Sequence, residues 1–152
     1  GTPSLIIAAL GPVMLDLAGR LADGTCLWMT GRKTIASHIT PRIREAAAAA
    51  GRPDPRVICA LPIAVTDDIA GARERINETY AVYGTLPSYQ AMLQKEGANE
   101  VADAAIIGSK AHVLEQLAEL AEAGVTEFSG AASGNGAERE AALEAMLDYQ
   151  RS

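Results

Sequence analysis

The residue types that most often do chemistry are sparse in this 152-residue chain, and their spacing narrows what they do. His38 and His112 each stand alone, and no His-Glu-x-x-His occurs. No metal site is therefore expected, and both histidines read as solvent-facing or cap-satisfying side chains. No Gly-x-Ser-x-Gly elbow offers a serine nucleophile. Cys26 and Cys59 lie in apolar, strand-like runs without basic neighbours to lower a thiol pKa, so both read as reduced, buried and inert. Glu127 falls in a strand, where it either faces solvent or serves as a carboxylate at the strand's mouth. The small-residue stretch Ser129 to Gly136 is either a linker or a phosphate loop after the last strand.

What remains is the chemistry of binding. Leu5-Ile6-Ile7-Ala8-Ala9-Leu10-Gly11-Pro12-Val13-Met14 is a buried apolar run that ends in small residues and a glycine, after which a proline opens a helix. Proline suits the first helical position because its missing N–H would be unpaired there anyway. Ala8, Ala9, Leu10, Gly11 and Pro12 thus make a turn that a ligand can approach closely, facing free N–H groups and the positive end of a helix dipole. A phosphate or the edge of a flat cofactor fits there; a plain strand–glycine–helix turn is the structural alternative. Trp28, the only tryptophan, packs in a core or, at a barrel mouth, stacks on a ring.

The elements that position these residues follow from the pattern. The chain is long enough for one domain, 1–152, and a formal charge of -6 with dispersed basic residues argues against a nucleic-acid surface. No apolar run is long enough to span a membrane and no signal peptide is visible, so no membrane partner is expected and the cytoplasm is the default. Strands are predicted at Leu5–Ala9, Thr25–Met29, Arg56–Val65 and Val125–Ser129, with a short buried segment at Ile106–Gly108. Pro62 marks a bulge or the end of regular pairing in the third strand. Helices are predicted over Pro12–Ala22 with Val13, Leu17 and Leu21 as its apolar stripe, and from Thr40 as N-cap to Ala50. Further helices start at Thr66-Asp67-Asp68, a cap followed by acids, with Tyr80 and Tyr83 still in helical spacing; at Leu86-Pro87-Ser88, with Gly97 as the stop; and at Ser109 and Ala137. Asp23-Gly24 reads as a left-handed stop to the first helix. Strands alternating with helices mean a parallel sheet. Four such units are about half of a (β/α)₈ barrel, with a doubly wound sheet as the rival. Gly1-Thr2-Pro3 enters a strand at once, so the chain reads as cut from something longer, its amino-terminal half-barrel missing.

Ala8-Ala9-Leu10-Gly11-Pro12, followed by Leu17-Ala18-Gly19-Arg20-Leu21-Ala22-Asp23-Gly24, resembles the second half of luciferase-like monooxygenases. Trp28-Met29-Thr30-Gly31, Leu86-Pro87-Ser88-Tyr89 with Met92-Leu93, and Ala121-Glu122-Ala123-Gly124-Val125-Thr126 are similar to the branch that uses the deazaflavin coenzyme F420. The resemblance implies the carboxyl-terminal half of a TIM barrel with the cofactor at the carboxyl ends of the strands. It implies that Ala8 to Pro12 touch the deazaflavin and its phosphate-bearing tail, and that Trp28, Thr30 and Gly31 lie near cofactor or substrate. Arg32, followed by Lys33, is the candidate to meet an acidic substrate or the cofactor tail. The acid/base residues of such relatives lie in the first half of the barrel, so no catalytic residue is carried over. The implied reaction is hydride transfer between coenzyme F420 and an unidentified small organic substrate, the fragment alone being inactive. An FMN-dependent monooxygenase and a non-catalytic half-barrel that binds a ligand or only self-associates are the alternatives. Two open sheet edges favour a homodimer joined through Leu5–Ala9 and Val125–Ser129.

Overall fold

The computed structural model describes residues 1–152, and every strand pair in it is parallel. β1 (Ile6–Ala8), β2 (Gly24–Trp28), β3 (Arg56–Val65) and β5 (Glu127–Ala132) follow one another across the sheet in chain order. The fifth strand, β4 (Ile106–Gly108), is the short buried segment, paired to the last residues of β3. Strand order in a doubly wound sheet reverses at a switch point; here β1, β2, β3 and β5 run one way, and only the short β4 steps aside to the β2 side of β3. The half barrel is the architecture observed.

Alternation along β3 divides the molecule in two. Val57, Cys59, Leu61 and Ile63 are buried and join Leu27 of β2 in one core. The helices on that side are α1 (Pro12–Leu21), α3 (Thr40–Ala49), α6 (Lys110–Glu122) and α7 (Gly136–Arg151). They supply Leu15 and Ala18, Ile43, Val113, Leu117 and Leu120, and Ala142 and Ala145. Each fully buried Leu or Ile contributes about 1.5–3 kcal/mol. The even-numbered residues of β3 point to the other side, which in a complete barrel is the interior.

Pro62 sits where its missing N–H costs nothing. Even-numbered residues of β3 bond towards β2, as Arg56 N to Asp23 O (2.9 Å) and Met29 N to Ala60 O (3.3 Å) show. β2 pairing ends at Ala60 and β4 pairing begins at Ile63, so the proline falls in the gap between two neighbours. Towards β5 the register runs on unbroken, Pro62 opposite Ala131.

Three expectations about helices need correction. First, α1 buries Leu15, Ala18 and Gly19, whereas Val13 and Leu21 of the predicted stripe are 77% and 59% exposed. Periodicity found an apolar stripe, but the stripe has no partner within this chain. Second, Gly24 is not a left-handed stop: it is the first residue of β2, and a Cβ there would collide with the Arg56 carbonyl. Gly19 is likewise fixed by contact, since a Cβ would run into Ile43 O and Ala46 of α3. Asp23 accepts Leu5 N through Oδ2 (2.8 Å) and Arg52 through Oδ1 (3.0 Å). The whole Ala-Gly-x-x-Ala-Asp-Gly run is thus a packing and clamping motif.

Third, Thr40 does not cap a new helix. α2 (Arg32–Thr34) runs through a π-helical turn, Ile35–Ile39, into α3, and Thr40 N bonds to Ile35 O. Pro41 has no N–H to give to Ser37, and the wide turn absorbs that lost bond. The Thr40 hydroxyl donates instead to Ala123 O (2.8 Å).

Beyond β3 the chain caps the sheet's carboxyl end. α4 (Ile69–Thr79) is capped by Asp68, which accepts Gly71 N (3.0 Å), and not by Thr66, whose hydroxyl accepts Asp68 N instead (3.1 Å). Ala72 and Ile76 of α4 join Ala64, Ala102 and Ile107 in a second small core. Tyr80 ends α4, and Tyr83 lies in the 3₁₀ turn Ala81–Thr85, so the two no longer continue one helix. α5 (Pro87–Glu96) is closed by Gly97 at φ 75°, as read. The 3₁₀ turn Val101–Ala104 then leads to β4.

Candidate site at the carboxyl end of the strands

Ala8 of β1 lies opposite Cys26 of β2, so the turn after β1 and the loop after β2 emerge side by side. The first turn is open and unsatisfied. Gly11 is the N-cap of α1 in an extended conformation, Pro12 occupies the first helical position, and no side chain caps the helix. Leu15 N is the first amide to bond back, to Gly11 O at 3.0 Å. The N–H groups of Val13 and Met14 therefore bond to nothing in the chain. A Cβ on Gly11 would meet no atom within 4 Å.

The turn is braced from behind. His38 Nε2 lies 2.9 Å from Leu10 O, so that nitrogen carries the proton and donates; the histidine braces a loop carbonyl and caps no helix. Arg42 donates through Nε to Pro12 O (3.2 Å) and pairs with Asp16 (2.8 Å). Ala9 is buried, and its carbonyl receives the Thr25 hydroxyl at 3.5 Å. The parts a ligand meets are Ala8, Leu10, Gly11 and Pro12.

The second loop sends its residues in two directions. Trp28 ends β2 on the inner side. Met29 then takes φ 51°, the one positive value at a non-glycine residue, which turns the chain outward. Thr30 is buried, donates to Trp28 O (3.1 Å), and accepts the Cys59 thiol (3.9 Å). Gly31 leaves room for the Glu96 side chain of α5. That carboxylate accepts Lys33 N (3.2 Å), Thr34 N (2.8 Å) and the Thr34 hydroxyl (2.8 Å), closing the start of α2. Arg32 is ion-paired with Glu119 of α6. Arg32 and Lys33 line a cavity of about 370 Å³ behind β3, shared with Arg73, His112 and Leu61. Arg73 there is already held by Glu100 and Asp103. Trp28 and the Ala8–Pro12 turn are thus brought together, while Thr30, Gly31 and Arg32 face the helix layer.

Sequence reasoning missed a cluster of rings. Tyr80 lies 5.3 Å from Trp28 at 73°, Tyr83 lies 5.9 Å from it at 66°, and Tyr89 of α5 stands 4.9 Å from Tyr83 at 72°. Only six aromatic residues occur in the chain, and three of the tyrosines fall between positions 80 and 89. That concentration was the signal available.

Cys26 is not buried. It projects from the inner side and is exposed, while Cys59 is buried among the helices, where loss of solvent pushes its thiol up to about 12. The residues flanking Cys26 are apolar, but the face they form is open. Glu127 is solvent-facing on the same side, bound through both oxygens to Arg56 at 2.5 Å. The bond to Arg56 holds its carboxyl below the usual range. His112 is exposed beside Glu115 and Gln116. No three of His, Cys, Asp or Glu gather closely enough to hold a metal ion. No helix is long and apolar enough to cross a membrane.

A parallel half barrel with an unsatisfied helix start and an aromatic cluster at its carboxyl mouth has the architecture of an α/β barrel. The chain belongs to the luciferase-like monooxygenase family, whose sequence model matches residues 1–127. No curated protein sequence matches it. Among solved structures, an F420-dependent secondary alcohol dehydrogenase in complex with an F420–acetone adduct matches 100% of this chain at 16% identity and a TM-score of 0.80. The coenzyme F420-dependent tetrahydromethanopterin reductase of Methanopyrus kandleri matches 94% of it at 23% identity and a TM-score of 0.72. The oxygenating constituent of 3,6-diketocamphane monooxygenase from Pseudomonas putida, in complex with FMN, matches 93% of it at 18% identity and a TM-score of 0.66. The chain spans only 50%, 48% and 45% of those three proteins.

Proposed function

We propose that this chain is the carboxyl-terminal half-barrel of a luciferase-like oxidoreductase that transfers a hydride between the deazaflavin coenzyme F420 and a small organic substrate. The observation that carries the reading is the uncapped start of α1, with two free N–H groups and open space at Gly11. An anionic tail fits the amides of Val13 and Met14, and the backbone from Leu10 to Pro12 lets a flat ring edge come close. When bound, the deazaflavin supplies the hydride chemistry; the chain's residues bind and orient. His38 and Arg42 keep the turn in place, and Arg32 reaches a substrate only by exchanging its partner Glu119. Glu127 stands at the amino end of β5, paired with Arg56, and His38 is committed to Leu10, so neither brings a free acid or base to the carboxyl mouth. The chain's activity then depends on a second body covering the inner face. We take that body to be a second copy paired through β1 and β5, which sedimentation tests directly: a soluble monomer at high concentration removes the homodimer. FMN is the second cofactor to test, because a monooxygenase of the same fold is in complex with it.

Titration with coenzyme F420 and with FMN tests the reading. The first is expected to bind more tightly. Gly11→Val is expected to weaken binding about tenfold or more, roughly 1.4 kcal/mol, while thermal stability hardly changes, since the fold leaves that space free. Equal affinity in mutant and wild type takes the turn out of the site.

A further inference from the structure

The aromatic cluster does more than fill space. Trp28, Tyr80, Tyr83 and Tyr89 are all half-buried rather than enclosed, and their edge-to-face contacts hold the group together without help from a ligand. Beside Trp28 the inner face carries only small side chains. Ala60 is its register partner and Ser129 the next one across. One row below stand Ala8 and Cys26 on the near side, with Ile58 and then Glu127 further across. A single upright ring next to a floor of Ala, Ser and Cys makes a shelf rather than a filled core. None of the three tyrosine hydroxyls bonds to any group of the chain. Burial and the nearby Tyr83 and Cys26 push the Tyr89 hydroxyl up, so it is a neutral donor. The four residues include no charged side chain. The group is also held firmly, because Glu96 ties the end of α5, which carries Tyr89, to the start of α2.

We propose that Trp28, Tyr80, Tyr83 and Tyr89 form the wall that selects the substrate, and that the substrate is a neutral, flat aromatic compound bearing an oxygen that can accept a hydrogen bond. The inference rests on the reading of this mouth as an oxidoreductase site and names its substrate class. Flat rings stack on the wall, the small floor leaves them room, and the free phenol hydroxyls donate to the oxygen. A neutral ligand leaves no charge stranded on an uncharged wall.

Trp28 is the only tryptophan, so its fluorescence reports on the shelf alone, and alkylation of exposed Cys26 by iodoacetamide gives a second readout. The probes are 2-acetonaphthone, flat and bearing a carbonyl, and cyclohexyl methyl ketone, which has the carbonyl without the flat ring. The first is expected to quench Trp28 saturably, to bind at least about tenfold more tightly than the second, and to protect Cys26. Tyr83→Leu is expected to weaken binding about tenfold, and Tyr89→Phe, which removes only a hydroxyl, about threefold. Equal affinity for the two ketones overturns the proposal, as does unchanged affinity in folded Tyr83→Leu. Should that variant not fold, Tyr89→Phe and Cys26 protection decide the matter. Coenzyme binding is titrated separately. If the coenzyme fails to bind but 2-acetonaphthone does, the cofactor reading falls and the wall stands. If 2-acetonaphthone displaces bound coenzyme, the shelf is the coenzyme's own seat and the substrate wall is refuted.

Discussion

Cys26 and Cys59 sit on neighbouring strands one step apart in register, Cys26 opposite Ile58 and Leu27 opposite Cys59, yet they live in different media. Cys59 points into the helix layer and touches no water; Cys26 points to the inner side and is open to it. The same contrast runs along β3 as far as Leu61, beyond which Pro62 and Ala64 are buried as well, Ala64 in the second core. Val57, Cys59, Leu61 and Ile63 are finished core, whereas Ile58 and Ala60 are only half-covered. One side of the sheet is closed by helices, and the other is open over β1, β2 and the first half of β3. Composition cannot reveal this, because both sides are built from the same apolar residues.

Thiol reactivity breaks or confirms the comparison most sharply. Iodoacetamide is expected to modify Cys26 about a hundredfold faster than Cys59 in the folded protein, the two rates converging in denaturant. Comparable native rates would mean the helix layer opens easily. Next in size is truncation: Leu61→Ala is expected to cost about 3 kcal/mol by urea denaturation, and Ile58→Ala nearer 1 kcal/mol, because only the first leaves a cavity in closed packing. Equal losses would show the inner face to be covered in solution. The smallest effect belongs to the Arg56–Glu127 pair. Glu127 titrates lower when folded than when unfolded. Its contribution is therefore present above the ordinary glutamate pKa and lost as the pH falls below about 4. Glu127→Gln should flatten the acid limb of a stability–pH curve slightly, since the pair is exposed; no change at all would make the pair idle.

Much of the fold was legible for identifiable reasons. β3 was read to its exact limits because Pro53 and Pro55 precede an unbroken apolar run and Thr66 follows it. α5 was bracketed by Pro87 and Gly97. The stripe Val13, Leu17 and Leu21 misled because helical period reports which residues are apolar and not where their partner is. Cys26 misled for the same reason. At the site, the turn at Gly11 was legible from local chemistry. The outward turn of Thr30 and Gly31 was not, because it depends on Glu96, which holds Thr34 from 62 residues further along. The ring cluster joins Trp28 to Tyr80 and Tyr83 across a similar distance, through a segment whose own periodicity suggested a plain helix.

The π-helical turn at Ile35–Ile39 carries a consequence for insertions and deletions. One residue on a helix is a rotation of about 100°. The wide turn therefore acts as a phase shifter: the stretch before it aims Thr34 at Glu96, and the stretch after it aims Ile43 at α1 and Thr40 at Ala123. These bearings do not coincide on an unbroken α-helix. Deleting exposed Ser37 would restore regular bonding and spoil the aim of one end or the other. Deleting exposed Pro53 in the loop that follows α3 would only shorten a connection. A dense screen of single-residue deletions should show a sharp intolerant band across positions 35–39, narrower than the helix that contains it.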